Sequence, residues 1–207
     1  AAYVIACVGA LFAARSLDTQ LFPRVAAGQM PVRIRAPSGT RLARTETLVR
    51  EVDQAIRDEV GPRNVHMTLA NIGSPPWSYP VNALYVFNQG PHEAVLLVAF
   101  EPGAKRPPIP VVEERLRAVF KKQFPMVHFS FEPGDIVSQV LDFGAAAPIH
   151  VTVSGNDLAK DAAYAERVKT ALEAIPSLRD VQIPGALDYP TLDVHVDRER
   201  AGELGLS

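Results

Sequence analysis

The stretch MPVRIRAPSGTRLARTETLVREVDQAIRDEVGPRNVHMTLA, residues 30–70, decides the fold. Its opening alternates Met30, Val32, Ile34 and Ala36 with Pro31, Arg33 and Arg35, the period of a strand with one covered face. The turn residues PSGT (37–40) stop that strand. Leu42, Thr45, Val49, Val52, Ile56 and Val60 then recur every three or four residues, which predicts an amphipathic helix ended by Gly61 and Pro62. Glu46 precedes Arg50 by four residues and Asp53 precedes Arg57 by four, so the outer side reads as a solvated face of mixed charge. VHMTLA alternates again, with Val65, Met67 and Leu69 against His66, Thr68 and Ala70. This is a βαβ unit.

The same layout occurs twice more. EAVLLVAF (93–100) leads to a helix with Pro110 near its first turn and Glu113 and Glu114 at its positive end. That helix runs through Leu116, Val119, Phe120 and Phe124 to Pro125, and MVHFSFE follows with Val127, Phe129 and Phe131 on one face. The third unit runs from PIHVTVSG (148–155), through a helix carrying Leu158, Ala162, Ala165, Val168, Leu172 and Ile175, to LRDVQI (178–183). A lone βαβ unit cannot cover its own strands, whereas two interleave into a four-stranded antiparallel sheet with both helices on one face. The expected fold is therefore α+β, with repeated βαβ units forming split βαβ, ferredoxin-like subdomains. One is complete at residues 30–135; the third unit lacks its mate. TLDVHVD (191–197) reads as a further strand and RERAGELGLS (198–207) as the start of a helix.

With 207 residues, 47% of them hydrophobic and 21% charged, the chain can bury one sizeable core or two smaller ones. A formal net charge of -2 lacks the basic footprint of nucleic-acid binding. The single Cys7 allows neither an internal disulfide nor a cysteine-based zinc site. The first fourteen residues carry no charge before Arg15. They are fewer than the roughly 20 apolar residues of a span, lack the basic start of a signal peptide, and read as the last two-thirds of a transmembrane helix. A buried core helix is the alternative.

No phosphate-binding loop, dinucleotide fingerprint, HExxH, CxxC or nucleophile elbow is present, so no catalytic residue, cofactor or metal is assigned. Asp135, Asp142, Asp188 and Glu93 read as caps and solvated charges rather than acids or bases. His66, His128, His150 and His195 fall on expected strands, opposite the large apolar residues, as a hydrated sheet face. Metal ligation would need convergence that their spacing does not supply.

Across nearly its whole length the chain resembles the resistance-nodulation-division efflux transporters. The resemblance lies in Phe22, Pro23, Gly28, Gln29, Pro37, Gly39 and Thr40, in the join FEPGDIVSQVLDFGAAAPIHVTVSG (131–155), and in LDYPTLDVHVDRERAGELGLS (187–207). It implies the large extracytoplasmic loop of the second half of such a protein. Residues 1–16 would end a transmembrane helix and 17–29 connect it. Residues 30–135 would form the first C-terminal porter subdomain, 136–147 a linker, 148–186 the first half of the second subdomain, and 187–207 the start of the docking-domain insertion. It also implies a proton-driven antiporter in the bacterial inner membrane, with this segment mostly periplasmic. The assembly would be a homotrimer working with a periplasmic adaptor and an outer-membrane channel on small amphiphilic substrates, with no enzymatic step. The family's proton-carrying residues lie in membrane helices outside these residues.

In that family a glycine-rich switch loop separates access and deep substrate pockets, between the second and third strands of this subdomain. Here the place is taken by Gly73, Ser74, Pro75, Pro76, Trp77, Ser78, Tyr79 and Pro80. Proline in place of glycine stiffens the loop, and Trp77 and Tyr79 offer broad surfaces with polar tips. The expected substrate-binding set is Trp77 and Tyr79 with Ile72, Thr68 and Ala70. The alternative is that Trp77 only packs against its own subdomain or a neighbouring protomer. Met30, Met67 and Met126 form no run, which favours organic amphiphiles over the soft metals that thioethers bind. A stand-alone split βαβ ligand-binding or enzymatic module is the competing reading, and a polyproline ligand role is disfavoured by the missing basic-flanked PxxP.

Overall fold

The computed structural model describes residues 28–74, 88, 90–134, 147, 149–183, 195–203 and 205. The expected membrane helix end at 1–16, the loop residues Pro75, Pro76, Trp77, Ser78, Tyr79 and Pro80, and most of 136–147 and 187–194 lie outside these.

Strand β1 (Gln29–Arg35) starts the sheet, and the turn that ends it closes through Thr40, whose N–H and Oγ1 both donate to the Pro37 carbonyl at 3.1 and 2.6 Å. Helix α1 (Leu42–Val60) buries Thr45, Leu48, Val49, Val52, Ala55, Ile56 and Val60 and leaves Leu42 half exposed. Its outer face carries the two expected ion pairs, Glu46–Arg50 and Asp53–Arg57. After a single 3-10 turn come β2 (Val65–Ile72), β3 (Glu93–Phe100), α2 (Ile109–Gln123) and β4 (His128–Phe131). The order in the sheet is β2-β3-β1-β4, and all three pairings are antiparallel. This is the interleaved split βαβ sheet.

Residues facing one another across an antiparallel ladder share a face. Met30↔Val98, Val32↔Leu96 and Ile34↔Ala94 are such pairs, all essentially inaccessible to solvent. They form one core with α1 and α2, completed by Val112, Leu116 and Phe120. Phe120 packs against Phe129 and Phe131 with ring centroids 4.4 and 6.2 Å away, so α2 is seated on β4 by aromatic contact.

The third unit differs from its expected form. Helix α3 (Leu158–Glu173) is present and capped by Asp157, whose Oδ1 accepts from the Ala159 and Lys160 amides at 3.1 and 3.2 Å. The described residues of 149–153 and 178–183 are not paired into strands, and those of the expected strand at 191–197 are not either. A helix satisfies its backbone groups internally, whereas a strand exists only through a partner ladder. Helix α3 buries none of its residues, and Leu158 and Tyr164 are more than half exposed. The last helix described is α4 (Arg198–Glu203). Among the described residues no helix is long and apolar enough to cross a membrane.

Candidate functional site

Strand β2 does not keep the alternation its sequence suggests. Val65 pairs with Phe100 and Met67 with Ala99, so two residues oppose one and the ladder carries a bulge at His66. Val65 stays in the core, but beyond the bulge Thr68, Ala70 and Ile72 face Val98, Leu96 and Ala94, on the helix-covered side. Ala70 remains exposed because β2 is the sheet edge, while Thr68 and Ile72 are partly buried. Met67 and Leu69, read as inward-facing from the sequence, instead stand on the opposite face, 55% and 53% exposed. Of the expected substrate-binding residues, the structure thus brings Thr68, Ala70 and Ile72 together at one edge; Trp77 and Tyr79 lie outside the described residues.

The face away from the helices is graded in polarity. Its β2–β3 side carries Met67, Leu69, Val95, Leu97 and Ala99, with Asn71 opposite Val95. Its β1–β4 side carries Arg33, Arg35, Ser130 and His128. Arg35 Nε donates to Glu93 Oε1 at 2.6 Å, and Glu93 is completely buried. Arg33 Nη1 lies 3.7 Å from Glu132 Oε1. Burial pushes the Glu132 carboxyl pKa up, and the Arg33 charge only partly offsets it. After β4 the chain returns over β1: a Cβ at Gly134 would sit 2.3 Å from the Gln29 carbonyl oxygen. Only glycine fits that approach.

The roots of the segment between β2 and β3 are tied together. The Gly73 N–H donates to the Glu93 carbonyl at 2.8 Å. The Asn88 amide donates to the carbonyls of Asn71 and Gly73 at 3.0 and 3.2 Å. Thr45 Oγ1 donates to the Pro91 carbonyl at 2.7 Å, anchoring the return to α1. Gly73 has φ of 78°, and a Cβ there would meet Leu42 Cδ1 at 2.9 Å. Gly73 and Ser74 thus leave the sheet in a direction set by β2, β3 and α1. Asn88 escaped the sequence reading because an isolated asparagine carries no periodic signal; Thr45 was read only as part of the helical stripe.

The four histidines do not make one surface. His66 occupies the bulge, with Nδ1 2.7 Å from Glu101 Oε2, and His128 begins β4. His150 and His195 lie outside paired strands. Among the described residues no three His, Cys, Asp or Glu side chains group as metal ligands do. Met30 is fully buried, whereas Met67 and Met126 are 55% and 71% exposed.

The whole chain, residues 1–207, matches the AcrB/AcrD/AcrF family. It belongs to that family. These are the resistance-nodulation-division transporters that its motifs resemble, a family of transporters and not of enzymes. The nickel and cobalt resistance protein CnrA of Cupriavidus metallidurans is 29% identical over 98 residues, 46% of this chain and 9% of that protein. Two crystal structures of a heavy metal efflux pump superpose with TM-scores of 0.73 and 0.72, at 20% and 21% identity. Each alignment covers 99% of this chain and 21% of the pump. The present chain is thus about a fifth of the length of those pumps, and their likeness shows the shared fold.

Proposed function

We propose that this chain is the extracytoplasmic porter part of a proton-driven efflux transporter of the inner membrane, and that its exported substrates are amphiphilic organic compounds. The observation that carries the substrate class is the graded sheet face. An apolar strip of Met67, Leu69, Val95 and Leu97 is bordered by Arg35, 13% exposed and held by Glu93, with Arg33 buried behind it, so the strip offers an amphiphile an apolar contact with a cationic group at its margin. The loop leaving Gly73 starts at the C-terminal end of the same edge strand, and in this reading Trp77 and Tyr79, a few residues further along the chain, meet the substrate. In this reading residues 30–135 are the first C-terminal porter subdomain, 148–186 half of the second, and 187–207 the opening of a docking insertion. Residues 1–16 end a membrane helix, and the working assembly is a homotrimer joined to an adaptor and an outer-membrane channel.

Similarity to a nickel and cobalt resistance protein favours a second reading, export of divalent transition metals. One experiment separates the two. Cells expressing the full-length protein are loaded in parallel with a cationic amphiphilic dye and with nickel or cobalt, and the Trp77→Ala, Tyr79→Ala double variant is compared with wild type. The organic reading expects the dye to be expelled by wild type and to accumulate severalfold more in the variant. Expulsion of nickel or cobalt with no effect on any amphiphile tested replaces it with the metal reading.

A further inference from the structure

The third unit meets the four-stranded subdomain, chiefly α2 and β4, through side chains rather than a backbone ladder. Asp180 lies in the segment after α3 with φ of 54°, a left-handed conformation that aspartate and asparagine tolerate better than most residues. There its carboxylate faces the outer edge of β4. Arg117 of α2 grips it as a fork, Nε to Oδ1 at 2.9 Å and Nη2 to Oδ2 at 2.7 Å. The Phe131 amide on the edge of β4 donates to the same Oδ2 at 3.1 Å. Arg117 also lies 4.7 Å over the Phe131 ring and donates to Glu114 at 2.9 Å, while Glu114 accepts from Arg179 at 3.2 Å. Two flanking contacts complete the seam: Gln182 Nε2 donates to Ser130 Oγ at 2.8 Å, and Arg35 Nη1 donates to the Ile183 carbonyl at 2.7 Å.

We propose that Arg117 and Asp180 are a latch that sets the position of the third unit (148–183) against the four-stranded β1–β4 subdomain, and that opening this latch lets the two separate. Residues 178–183 form no strand with β4, so no cooperative ladder has to be broken for the seam to open. The strongest tie is one bidentate charged pair with side chains 21% and 15% exposed, dry enough to be stronger than a surface ion pair, and the contacts flanking it are single hydrogen bonds. The contact also blocks the free edge of β4, because the carboxylate occupies an amide that would otherwise invite another strand. Arg117 and Asp180 are positioning residues: neither needs to touch substrate. Their consequence for export rests on the reading that substrate passes between the two units.

The test is a distance measurement on the full-length transporter in lipid, free of other reactive cysteines. Spin labels are placed at Lys122→Cys on α2 and Ala163→Cys on α3, both solvent-exposed. Asp180→Asn keeps an acceptor for the Phe131 amide and tolerates the left-handed backbone, but it loses the charged fork. A longer-distance population about tenfold larger in Asp180→Asn and in Asp180→Ala is expected, with a smaller increase in Arg117→Lys, which keeps the charge opposite Asp180 but not the fork. Superimposable distance distributions in wild type and Asp180→Asn would overturn the latch. If the distances shift while export of every tested compound is unchanged, the latch stands and the assignment of the substrate path to this cleft falls.

Discussion

Glu132 shows how a single position responds to its surroundings. Burial raises its pKa above the ordinary value of 4.5, and Arg33 at 3.7 Å opposes the shift without cancelling it. A carboxyl with a raised native pKa holds its proton more tightly when folded than when unfolded. The stability tied to that proton is therefore complete below 4.5 and is lost as pH rises through the raised value. Glu132→Gln should accordingly melt at a higher temperature than wild type at neutral pH, the difference vanishing below pH 4.5. Thermal denaturation across that range checks it, and a lower melting temperature for the variant at pH 7 contradicts it. Gly73 is the other telling residue. Its left-handed φ and the nearby Leu42 methyl predict that Gly73→Ala costs about 1 kcal/mol or more and redirects the loop root. Neither property was legible beforehand, since Glu132 is one acid at the end of a strand pattern and Leu42 approaches Gly73 only in the folded chain.

At the scale of the elements, legibility followed period. The 3.6-residue recurrence in residues 42–60 named Thr45, Val49, Val52, Ile56 and Val60 of the buried stripe of α1 but included the half-exposed Leu42 and passed over Leu48 and Ala55, and the two-residue recurrence in residues 30–36 named the core side of β1. Phe129 and Phe131 were placed correctly because two aromatics two apart in a strand share a face. The prediction here is that Phe120→Ala, which removes the ring all three neighbouring phenylalanines touch, costs about 3–5 kcal/mol. Chemical denaturation measures this, and a loss below 1 kcal/mol would show that α2 is not seated by this cluster. Strand β2 was misread for a specific reason. A bulge inserts one residue into the count and reverses every side chain beyond it, and nothing in VHMTLA marks where the extra residue falls.

For the whole molecule, that reversal matters more than any motif. It moves Met67 and Leu69 out of the core and onto the face where the proposed substrate path runs. Because both are more than half exposed, Met67→Ser with Leu69→Ser should leave the melting midpoint nearly unchanged, within about 0.5 kcal/mol. The same variant should raise dye accumulation in cells carrying the full-length transporter. A large stability loss would mean these side chains are structural, and unaltered accumulation would remove them from the path.

Periodicity and turn residues sufficed for the first two βαβ units and their pairing into a split sheet, because burial acts on every second strand residue and every third or fourth helical residue, whereas the family of transporters rested on the resemblance carried by residues such as Phe22, Pro23, Gly28 and Gln29. The bulge, the graded face, the tied loop roots and the Arg117–Asp180 fork belong to the tertiary structure alone. Each depends on residues far apart in the chain meeting at hydrogen-bonding distance, 63 positions apart in the case of the fork, and no local pattern encodes such a meeting.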